Sequence, residues 1–346
     1  MSAVLAVRMG DVARLSLNRP SAIHALTLEM VQAMAAPLLA WRDDDAVRAV
    51  MIDHHDGRGF CAGGDIAFLR GSALNDGGVS GRKFFHDEYQ LNHLLFTYPK
   101  PVIAFMDGIT MGGGVGISQP ARFRVATENT RLAMPETGIG LFPDVGGGWY
   151  LSRLAWRLGQ YLALTGARLD GAECLWAGLA THYLDSGSLV EAKERIHRGD
   201  EPGVVLDALS ASPPAPKLAA HTDSIERLFA SDRYEDILAA LAGEGSDWAK
   251  ATLATLATKS PQTCKVALRQ LADSLSCADF AANMAMEYRI GARVLTLPDF
   301  AEGVRAVIID KDNAPRWNPA TPAGVTDAMI DEIFAPLPGG EEWKPL

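Results

Sequence analysis

The stretch PVIAFMDGITMGGGVGIS, Pro101 to Ser118, runs from an apolar strand pattern through a cluster of glycines into a helical pattern. A short, continuous apolar run is typical of a strand that is buried on both faces. Glycine has no Cβ, so its backbone N–H can approach a ligand, and helix N-termini add partial positive charge. The stretch therefore predicts an α/β fold with backbone donors at a strand end, suited to phosphate or to a reaction oxyanion.

Two further stretches have the same character, GFCAGGDI (Gly59 to Ile66) and MPETGIGLFPDVGGGW (Met134 to Trp149). None of the clusters has the G-x-x-x-x-G-K-[ST] order of a phosphate loop, and Gly112 to Gly116 also lacks the G-x-G-x-x-G order. Two clusters at strand ends therefore favour an oxyanion site over a phosphate site. Tight packing of helix on sheet is the structural alternative for either cluster alone.

The third stretch also contains two acids eight positions apart, Glu136 and Asp144. Carboxylates near backbone donors are suited to proton or acyl transfer. In the structural alternative, Glu136 ends a strand and Asp144 caps a helix that starts at Gly146. The residues alone leave both interpretations open.

The composition bounds the class of protein. The chain has 346 residues, 48% of them hydrophobic and 21% charged, and a formal net charge of −10. This balance predicts a globular protein with a sizeable core and argues against a nucleic-acid partner. No apolar run is long enough to span a bilayer and no signal peptide is recognised, so we expect a cytoplasmic protein without a membrane partner.

The four cysteines are Cys61, Cys174, Cys264 and Cys277. They show no C-x-x-C spacing, and no histidine accompanies them at the intervals of a zinc site. We therefore expect reduced, structural thiols, no metal site and no dissociable cofactor.

The order of patterns along the chain predicts the domain organisation. VLAVRM and VARLSL alternate as a hairpin around Gly10-Asp11, Thr27 is placed to cap a helix, and VRAVMID reads as a buried parallel strand. Repeated strand and helix units predict an α/β core with right-handed crossovers. We expect a catalytic core over residues 1–200, a Pro-bearing linker over 201–221, and a helical C-terminal region over 222–346 that packs on the core.

Seven stretches, taken in chain order, carry a family resemblance: NRPSAIHALT, GFCAGGDI, GITMGGGVGIS, MPETGIGLFPDVGGGWYLSRL, LALTGARL, AGLATHYL and DFAEGVRAVIIDKDNAPRWNP. Together they resemble the crotonase superfamily, and within it they are similar to the 3-hydroxyisobutyryl-CoA hydrolases. The resemblance extends from about Leu5 to Pro319 and is weakest around residues 195–250.

The resemblance implies a crotonase-like spiral of β-β-α units that binds an acyl-CoA substrate. It implies that two backbone N–H groups, which fall here on Gly64 and Gly113, hold the thioester oxygen. Glu136 and Asp144 match the acids of the hydrolases, and Glu88 in FFHDEY matches a substrate-contacting position. For Glu88 a solvated helix acid is the structural alternative, because charged helix residues are mostly exposed.

By resemblance, the adenine end of coenzyme A lies against backbone groups near Ala22, His24 and Ala62. Coenzyme A is then part of the substrate, and no separate cofactor is implied. Association into a homo-oligomer is left open.

One departure from the wider superfamily separates two reactions. Enoyl-CoA hydratases that resemble this chain have a catalytic glutamate at the position of Gly116, and they tend to have glycine at the position of Asp144. The resemblance therefore implies hydrolysis of a short-chain 3-hydroxyacyl-CoA thioester, with 3-hydroxyisobutyryl-CoA of valine catabolism as the expected substrate. An enoyl-CoA hydratase or isomerase that uses Glu136 alone is the first alternative, and a noncatalytic acyl-CoA-binding protein is the second.

Overall fold

The computed structural model describes Ser2–Leu346, and the contacts among these residues define two compact units. The first unit comprises the chain up to Gly64 together with Gln90–Ala133 and Arg168–Ala219. The second comprises Asp65–Tyr89, Met134–Ala167 and Ala220–Leu346. Each unit is assembled from three separate stretches, so the units do not coincide with the predicted division into 1–200, 201–221 and 222–346.

The strands of the described chain all lie in the first unit. They are β1 Val4–Met9, β2 Val12–Leu17, β3 Ala49–His54, β4 Gly59–Cys61, β5 Val102–Met106, β6 Ile109–Met111, β7 Phe123–Ala126, β8 Arg131–Ala133, β9 Leu169–Asp170 and β10 His182–Tyr183. They form one sheet in the order β1-β2-β3-β5-β7-β10 and a second sheet in the order β4-β6-β8-β9.

Most of the strand pairs in both sheets are parallel. The exceptions are the β1–β2 hairpin, with Met9 opposite Val12, and the β8–β9 pair. Gly10 in the hairpin turn has φ 67°, a conformation that glycine adopts without steric cost. The predicted hairpin and the predicted buried strand β3, which pairs in parallel with β2 and β5, are both confirmed.

The hydrophobic core of the first unit lies on one face of the larger sheet. Strand residues from β2, β3, β5 and β7 contribute to it, and later helices cover it. Its fully or almost fully buried members are Val12, Ala49, Met51, Ile103, Phe105, Val125, Leu184, Leu189, Ala192, Ile196, Val205 and Leu206. Burial of aliphatic side chains of this kind contributes about 1.5–3 kcal/mol each, so this cluster holds the later helices onto the sheet.

The α-helices of Ser2–Leu346 occur in both units. They are α1 Leu28–Arg42, α2 Ile66–Asn75, α3 Val79–Phe96, α4 Gly113–Ser118, α5 Gly147–Ser152, α6 Leu158–Thr165, α7 Gly171–Trp176, α8 Leu189–His197, α9 Pro202–Leu209, α10 Thr222–Leu228, α11 Tyr234–Glu244, α12 Asp247–Leu256, α13 Pro261–Ser276, α14 Phe280–Val294, α15 Pro298–Val304 and α16 Asp327–Phe334. None of these helices is both long and apolar enough to cross a membrane.

Two predicted helix starts are confirmed by their caps. The Thr27 side chain accepts a hydrogen bond from the Met30 N–H at the start of α1, and the Ser260 side chain accepts one from the Thr263 N–H at the start of α13. Pro261 is the first residue of α13, where its missing N–H leaves no acceptor unsatisfied. Local sequence is sufficient at these ends because the cap side chain and the N–H group that donates to it are only three residues apart.

The predicted linker over 201–221 differs from the structure. Its first part is helix α9, which Glu201 caps by accepting a hydrogen bond from the Val204 N–H. Val205 and Leu206 of this helix are buried in the core of the first unit. The helix ends at Leu209, and the prolines on which the linker prediction rests, Pro213, Pro214 and Pro216, lie beyond it.

Candidate active site

The first glycine-rich loop follows β4 and leads into α2, as predicted. Gly63 has φ 111°, which strongly favours glycine. Its carbonyl oxygen accepts a 2.7 Å hydrogen bond from the Leu26 N–H, and Leu26 and Gly64 form a parallel bridge. These contacts fix the backbone at Gly64, the first predicted oxyanion donor.

The second loop follows β6 and turns at Gly112, φ 47°, into α4. Gly113 is the first residue of α4, so its N–H has no acceptor within the helix. A Cβ on Gly63 would lie 3.7 Å from the Gly113 nitrogen, and a Cβ on Gly114 would collide with the Cys61 carbonyl. Glycine at position 114 therefore allows the two loops to touch, and the structure brings the loops of both predicted donors together.

The predicted adenine-binding region forms a turn between β2 and α1. The Ala62 N–H donates to the Ile23 carbonyl at 2.9 Å, which places Ala62 beside the 3-10 turn that ends at Ala22. His24 is fully buried: its Nδ1 accepts from the Arg19 N–H at 2.9 Å, and its Nε2 therefore donates to the Asp56 carbonyl at 2.8 Å.

Burial lowers the pKa of His24, so the neutral ring is the stable form. Its side chain holds the turn through these two hydrogen bonds. Adenine binding at this turn stays a prediction.

The acids Glu88, Glu136 and Asp144 all belong to the second unit and are buried, with 2%, 5% and 4% exposure. The alternative in which Glu88 is a solvated helix acid is therefore wrong. Buried carboxyls without ion partners are costly, so this cluster is a candidate functional site rather than a stabilising feature.

Glu136 begins a short 3-10 helix, Glu136–Ile139, and does not end strand β8 as in the structural alternative. The Thr137 hydroxyl donates to the Leu164 carbonyl at 3.1 Å, and the Ser260 N–H donates to the Thr137 carbonyl at 3.0 Å. These two bonds tie the turn to α6 and to the start of α13. The acid is thus presented by a rigid turn.

Asp144 does not cap the following helix, so the structural alternative for this residue is also wrong. Helix α5 starts at Gly147 after Gly146, which has φ 88° and no side chain to act as a cap. The Asp144 Oδ2 instead accepts a 2.8 Å hydrogen bond from the buried Tyr89 hydroxyl.

Two residues of this region were missed by the sequence reasoning, Tyr89 and Glu287. Tyr89 directly follows Glu88 and could have been found by its position. Glu287 lies in α14, where its Oε2 accepts from the Gly146 N–H at 2.7 Å and its Oε1 from the Gly148 N–H at 2.9 Å. A single acid in a helix about 140 positions away gives no sequence signal of this contact.

Burial is the main cause that raises the pKa of all four acids. It raises the pKa of Asp144 to about 7 and that of Glu287 to about 8, and it holds those of Glu88 and Glu136 well above the usual range. The charge of Asp144 raises the other three further, whereas the Tyr89 hydroxyl lowers the pKa of Asp144. Because the charge of Asp144 affects the pKa of each of the other three acids, the four acids titrate as a coupled group.

Two oxygens of the cluster are left for a ligand. Within Ser2–Leu346, neither Oε1 of Glu88 nor Oε2 of Glu136 has a hydrogen-bond partner, although both atoms are buried. Buried polar atoms are nearly always paired in folded proteins, so orphaned ones mark a place where water or substrate completes the bonding. No group of three or more His, Cys, Asp or Glu side chains in the described chain is placed to hold a metal ion.

Comparisons with known proteins agree with this architecture. A family model described as enoyl-CoA hydratase/isomerase matches residues 12–334. The chain is 41% identical to the 3-hydroxyisobutyryl-CoA hydrolase, mitochondrial, of Danio rerio, over 97% of this chain and 90% of that protein. It is 39% identical to the probable 3-hydroxyisobutyryl-CoA hydrolase 2 of Arabidopsis thaliana, over 100% of this chain and 94% of that protein. The chain belongs to the enoyl-CoA hydratase/isomerase family.

Two solved structures match over nearly the whole chain. A carnitinyl-CoA dehydratase from Mycobacterium thermoresistibile is 40% identical with a TM-score of 0.93, and the match covers 98% of both chains. An enoyl-CoA hydratase from Rhodobacter sphaeroides 2.4.1 is 36% identical with a TM-score of 0.92, and the match covers 99% of this chain and 100% of that one. The predicted crotonase-like fold is thus confirmed, while the names of the relatives include hydrolases, a dehydratase and a hydratase.

Proposed function

We propose that the protein hydrolyses a short-chain 3-hydroxyacyl-CoA thioester, with 3-hydroxyisobutyryl-CoA as its substrate. One observation carries this choice: the buried acids Glu136 and Asp144 occur in the same unit, while Gly116 in α4 offers no carboxylate from the glycine loop. By resemblance, one of the two carboxyls with which a hydratase adds water across a double bond belongs at the position of Gly116, and this chain lacks it. The relatives named 3-hydroxyisobutyryl-CoA hydrolases support the same substrate.

In this proposal the N–H groups of Gly64 and Gly113 donate to the thioester oxygen. Negative charge develops on that oxygen when the carbonyl carbon becomes tetrahedral, and fixed backbone donors stabilise it without reorganising. Loss of one such donor costs about 3–4 kcal/mol of transition-state stabilisation in comparable sites.

Glu136 supplies the second requirement, an activated oxygen, by one of two routes. Its carboxylate attacks the carbonyl carbon, the C–S bond breaks with release of coenzyme A, and water then hydrolyses the acyl anhydride. Alternatively, Glu136 takes a proton from a water molecule that attacks the same carbon. Incorporation of ¹⁸O into the Glu136 side chain during single-turnover hydrolysis in H₂¹⁸O would establish the anhydride route, because only attack of water on the glutamyl carbon of the anhydride places the label there.

Asp144 and Glu88 act on the remaining polar groups of the substrate. The free Oε1 of Glu88 is suited to the 3-hydroxyl group, since a buried, unpaired carboxyl oxygen gains a hydrogen bond there. Asp144, fixed by Tyr89, orients the hydroxyl group or the attacking water, or it shares a proton with Glu136.

The experiment that tests the proposal compares 3-hydroxyisobutyryl-CoA with crotonyl-CoA in the presence of a thiol reagent. Release of free coenzyme A from the hydroxyacyl substrate supports hydrolysis. Loss of the enoyl absorbance of crotonyl-CoA without thiol release would support hydration, the activity in the name of the Rhodobacter sphaeroides relative. Binding without either reaction would identify a noncatalytic acyl-CoA-binding protein.

We also propose that hydrolysis requires no metal ion and no dissociable cofactor. Backbone donors and carboxyls meet both needs of thioester hydrolysis, the stabilised oxyanion and the activated oxygen. Dialysis against a strong chelator should leave coenzyme A release unchanged. A loss of activity that one added metal restores would contradict this.

A further inference from the structure

The start of helix α5, immediately after Asp144, has an unusual cap. The sequence there is DVGGGW, so Gly146, Gly147 and Gly148 offer no side chain to accept hydrogen bonds from the free N–H groups of the first turn. Glu287 of α14 supplies the acceptors: each of its two carboxyl oxygens takes one N–H, from Gly146 and from Gly148. The cap of this helix therefore comes from a residue about 140 positions later in the chain.

The approach of Glu287 depends on glycine at position 148. A Cβ on Gly148 would lie 2.5 Å from the Ser274 Oγ, 2.8 Å from the Gln270 Nε2 and 3.0 Å from the Glu287 Oε1. Real Cβ atoms do not come that close to polar atoms. The glycine run supplies the N–H donors of this contact, and the distant acid supplies its acceptors.

Gln270, which contacts Glu287, also holds the chain on the N-terminal side of Asp144. The Gln270 Nε2 donates to the Pro143 carbonyl at 2.7 Å and to the Glu287 Oε1 at 3.0 Å. The Asn283 Nδ2 donates to the same Oε1 at 2.9 Å. Pro143 and Gly146 flank Asp144, so the backbone is fixed immediately before and two residues after the acid.

We propose that Glu287 is a positioning residue for Asp144, holding its loop through the N–H groups of Gly146 and Gly148. This role rests on the proposed function of Asp144 in thioester hydrolysis. The side chain of Asp144 is fixed by Tyr89 and its backbone by Glu287 and Gln270. A carboxyl group is needed because it offers two oxygens that each accept from an N–H donor, whereas an amide offers one oxygen and turns its own N–H₂ toward a donor.

The test is Glu287→Gln in the full chain, assayed with 3-hydroxyisobutyryl-CoA. We expect kcat to fall about 10-fold, consistent with misplacement of one catalytic group, while KM changes less than kcat. Ile290→Val in the same helix is the matched control, because it removes one buried methylene and no hydrogen bond to the loop. The control should lower the melting temperature and leave kcat within about twofold of the parent.

A double-mutant cycle separates positioning from general destabilisation. In an Asp144→Asn background, Glu287→Gln should have less than about a twofold effect on kcat, because the group it positions is already inactive. An undiminished 10-fold effect in that background would overturn the proposal, as would an unchanged kcat of the single variant. If Glu287→Gln does not fold, Gln270→Met removes the bond to Pro143 with a similar side-chain volume, and the same cycle applies.

A readout independent of activity distinguishes failure of this inference from failure of the proposed function. Amide hydrogen exchange of the segment around residues 140–152 should be faster in Glu287→Gln than in Ile290→Val at equal global stability. Equal exchange rates would overturn the role of Glu287 whatever reaction the protein catalyses. If exchange is faster in Glu287→Gln but the parent protein does not hydrolyse the substrate, the positioning role of Glu287 stands and the proposed reaction is refuted.

Discussion

The glycine loops of the first unit and the acid cluster of the second unit reach a functional arrangement in opposite ways. The loops use backbone N–H groups, and their geometry follows from glycines that lie next to the donors in sequence, such as Gly63 and Gly112. The acids are side chains whose properties depend on burial and on residues far along the chain, such as Tyr89 and Glu287. A backbone donor is thus specified locally, whereas a tuned carboxyl is specified by the tertiary structure.

The difference also separates their response to pH. Backbone N–H groups do not titrate, while burial has raised the pKa of every acid in the cluster. We therefore expect the pH dependence of hydrolysis to report the second unit alone, as macroscopic pKa values of the coupled acids.

The largest expected effect breaks the acid cluster directly. Glu136→Gln keeps the side-chain shape but removes the nucleophile or base, so coenzyme A release should fall at least about 100-fold. Turnover is measured with a thiol reagent, with Glu332→Gln on the exposed face of α16 as a control for the same chemical change. Near-normal turnover by a folded Glu136→Gln variant would remove Glu136 from the mechanism.

The next largest effect is expected when the contact between the two glycine loops is disturbed. Gly114→Ala places a Cβ against the Cys61 carbonyl and should displace the loop that carries the Gly113 N–H. We expect about a 100-fold loss of kcat, within the range for removing one oxyanion donor, and a loss of stability of about 1–3 kcal/mol from overpacking.

Gly71→Ala is the control for that variant, because a Cβ at Gly71 in α2 meets nothing within 4 Å. The control should keep full activity and become slightly more stable, since alanine is the better helix former. A Gly114→Ala protein as active as the parent would show that the close contact of the two loops is not needed.

A smaller effect is expected on the pH dependence of hydrolysis, which tests the acid cluster alone. Tyr89→Phe removes the hydrogen bond that lowers the pKa of Asp144, so that pKa should rise from about 7. If ionised Asp144 is required, the acidic limb of the kcat/KM profile should move up by about one pH unit, the equivalent of one hydrogen bond to a charged group. Glu88, Glu136 and Glu287 titrate in the same cluster, so the shift is read from the whole profile. An unmoved acidic limb would show that Asp144 does not control this ionisation.

The smallest effect concerns stability. The pKa of Glu88 is raised by burial, so the folded state holds this proton over a pH range in which the unfolded state has lost it. The free energy of unfolding should therefore fall as the pH rises above the ordinary glutamate value of about 4.3. Glu88→Gln does not lose stability in this way, because glutamine has no proton to release.

That variant should melt about 2–4 °C above the parent at pH 8 and show little difference near pH 4. Its KM should rise because the contact with the substrate hydroxyl is weakened. Thermal melting at the two pH values measures the first effect, and a melting difference that does not grow with pH would contradict the buried, protonated state of Glu88.

Several parts of the fold and site could be predicted because their causes are local. The hairpin around Gly10, the caps Thr27 and Ser260, and the glycine turn before α4 each depend on residues within a few positions of one another. The linker prediction failed because a local sequence signal and long-range packing favour different structures in this segment. The prolines after residue 209 marked a loop, but the burial of Val205 and Leu206 in the core of the first unit keeps α9 helical.

The sequence by itself determined the α/β class, the glycine loops and the family resemblance that singled out Glu136 and Asp144. Strand periodicity, turn chemistry and motif spacing each depend on residues that are close together in the chain. Only the tertiary structure decided that Glu88 is buried rather than solvated, that Tyr89 holds the Asp144 carboxylate, and that Glu287 caps the helix after it. Burial and hydrogen bonding between residues 55 to about 140 positions apart depend on how the chain packs, and the cost of burying a carboxyl is set by every atom that surrounds it.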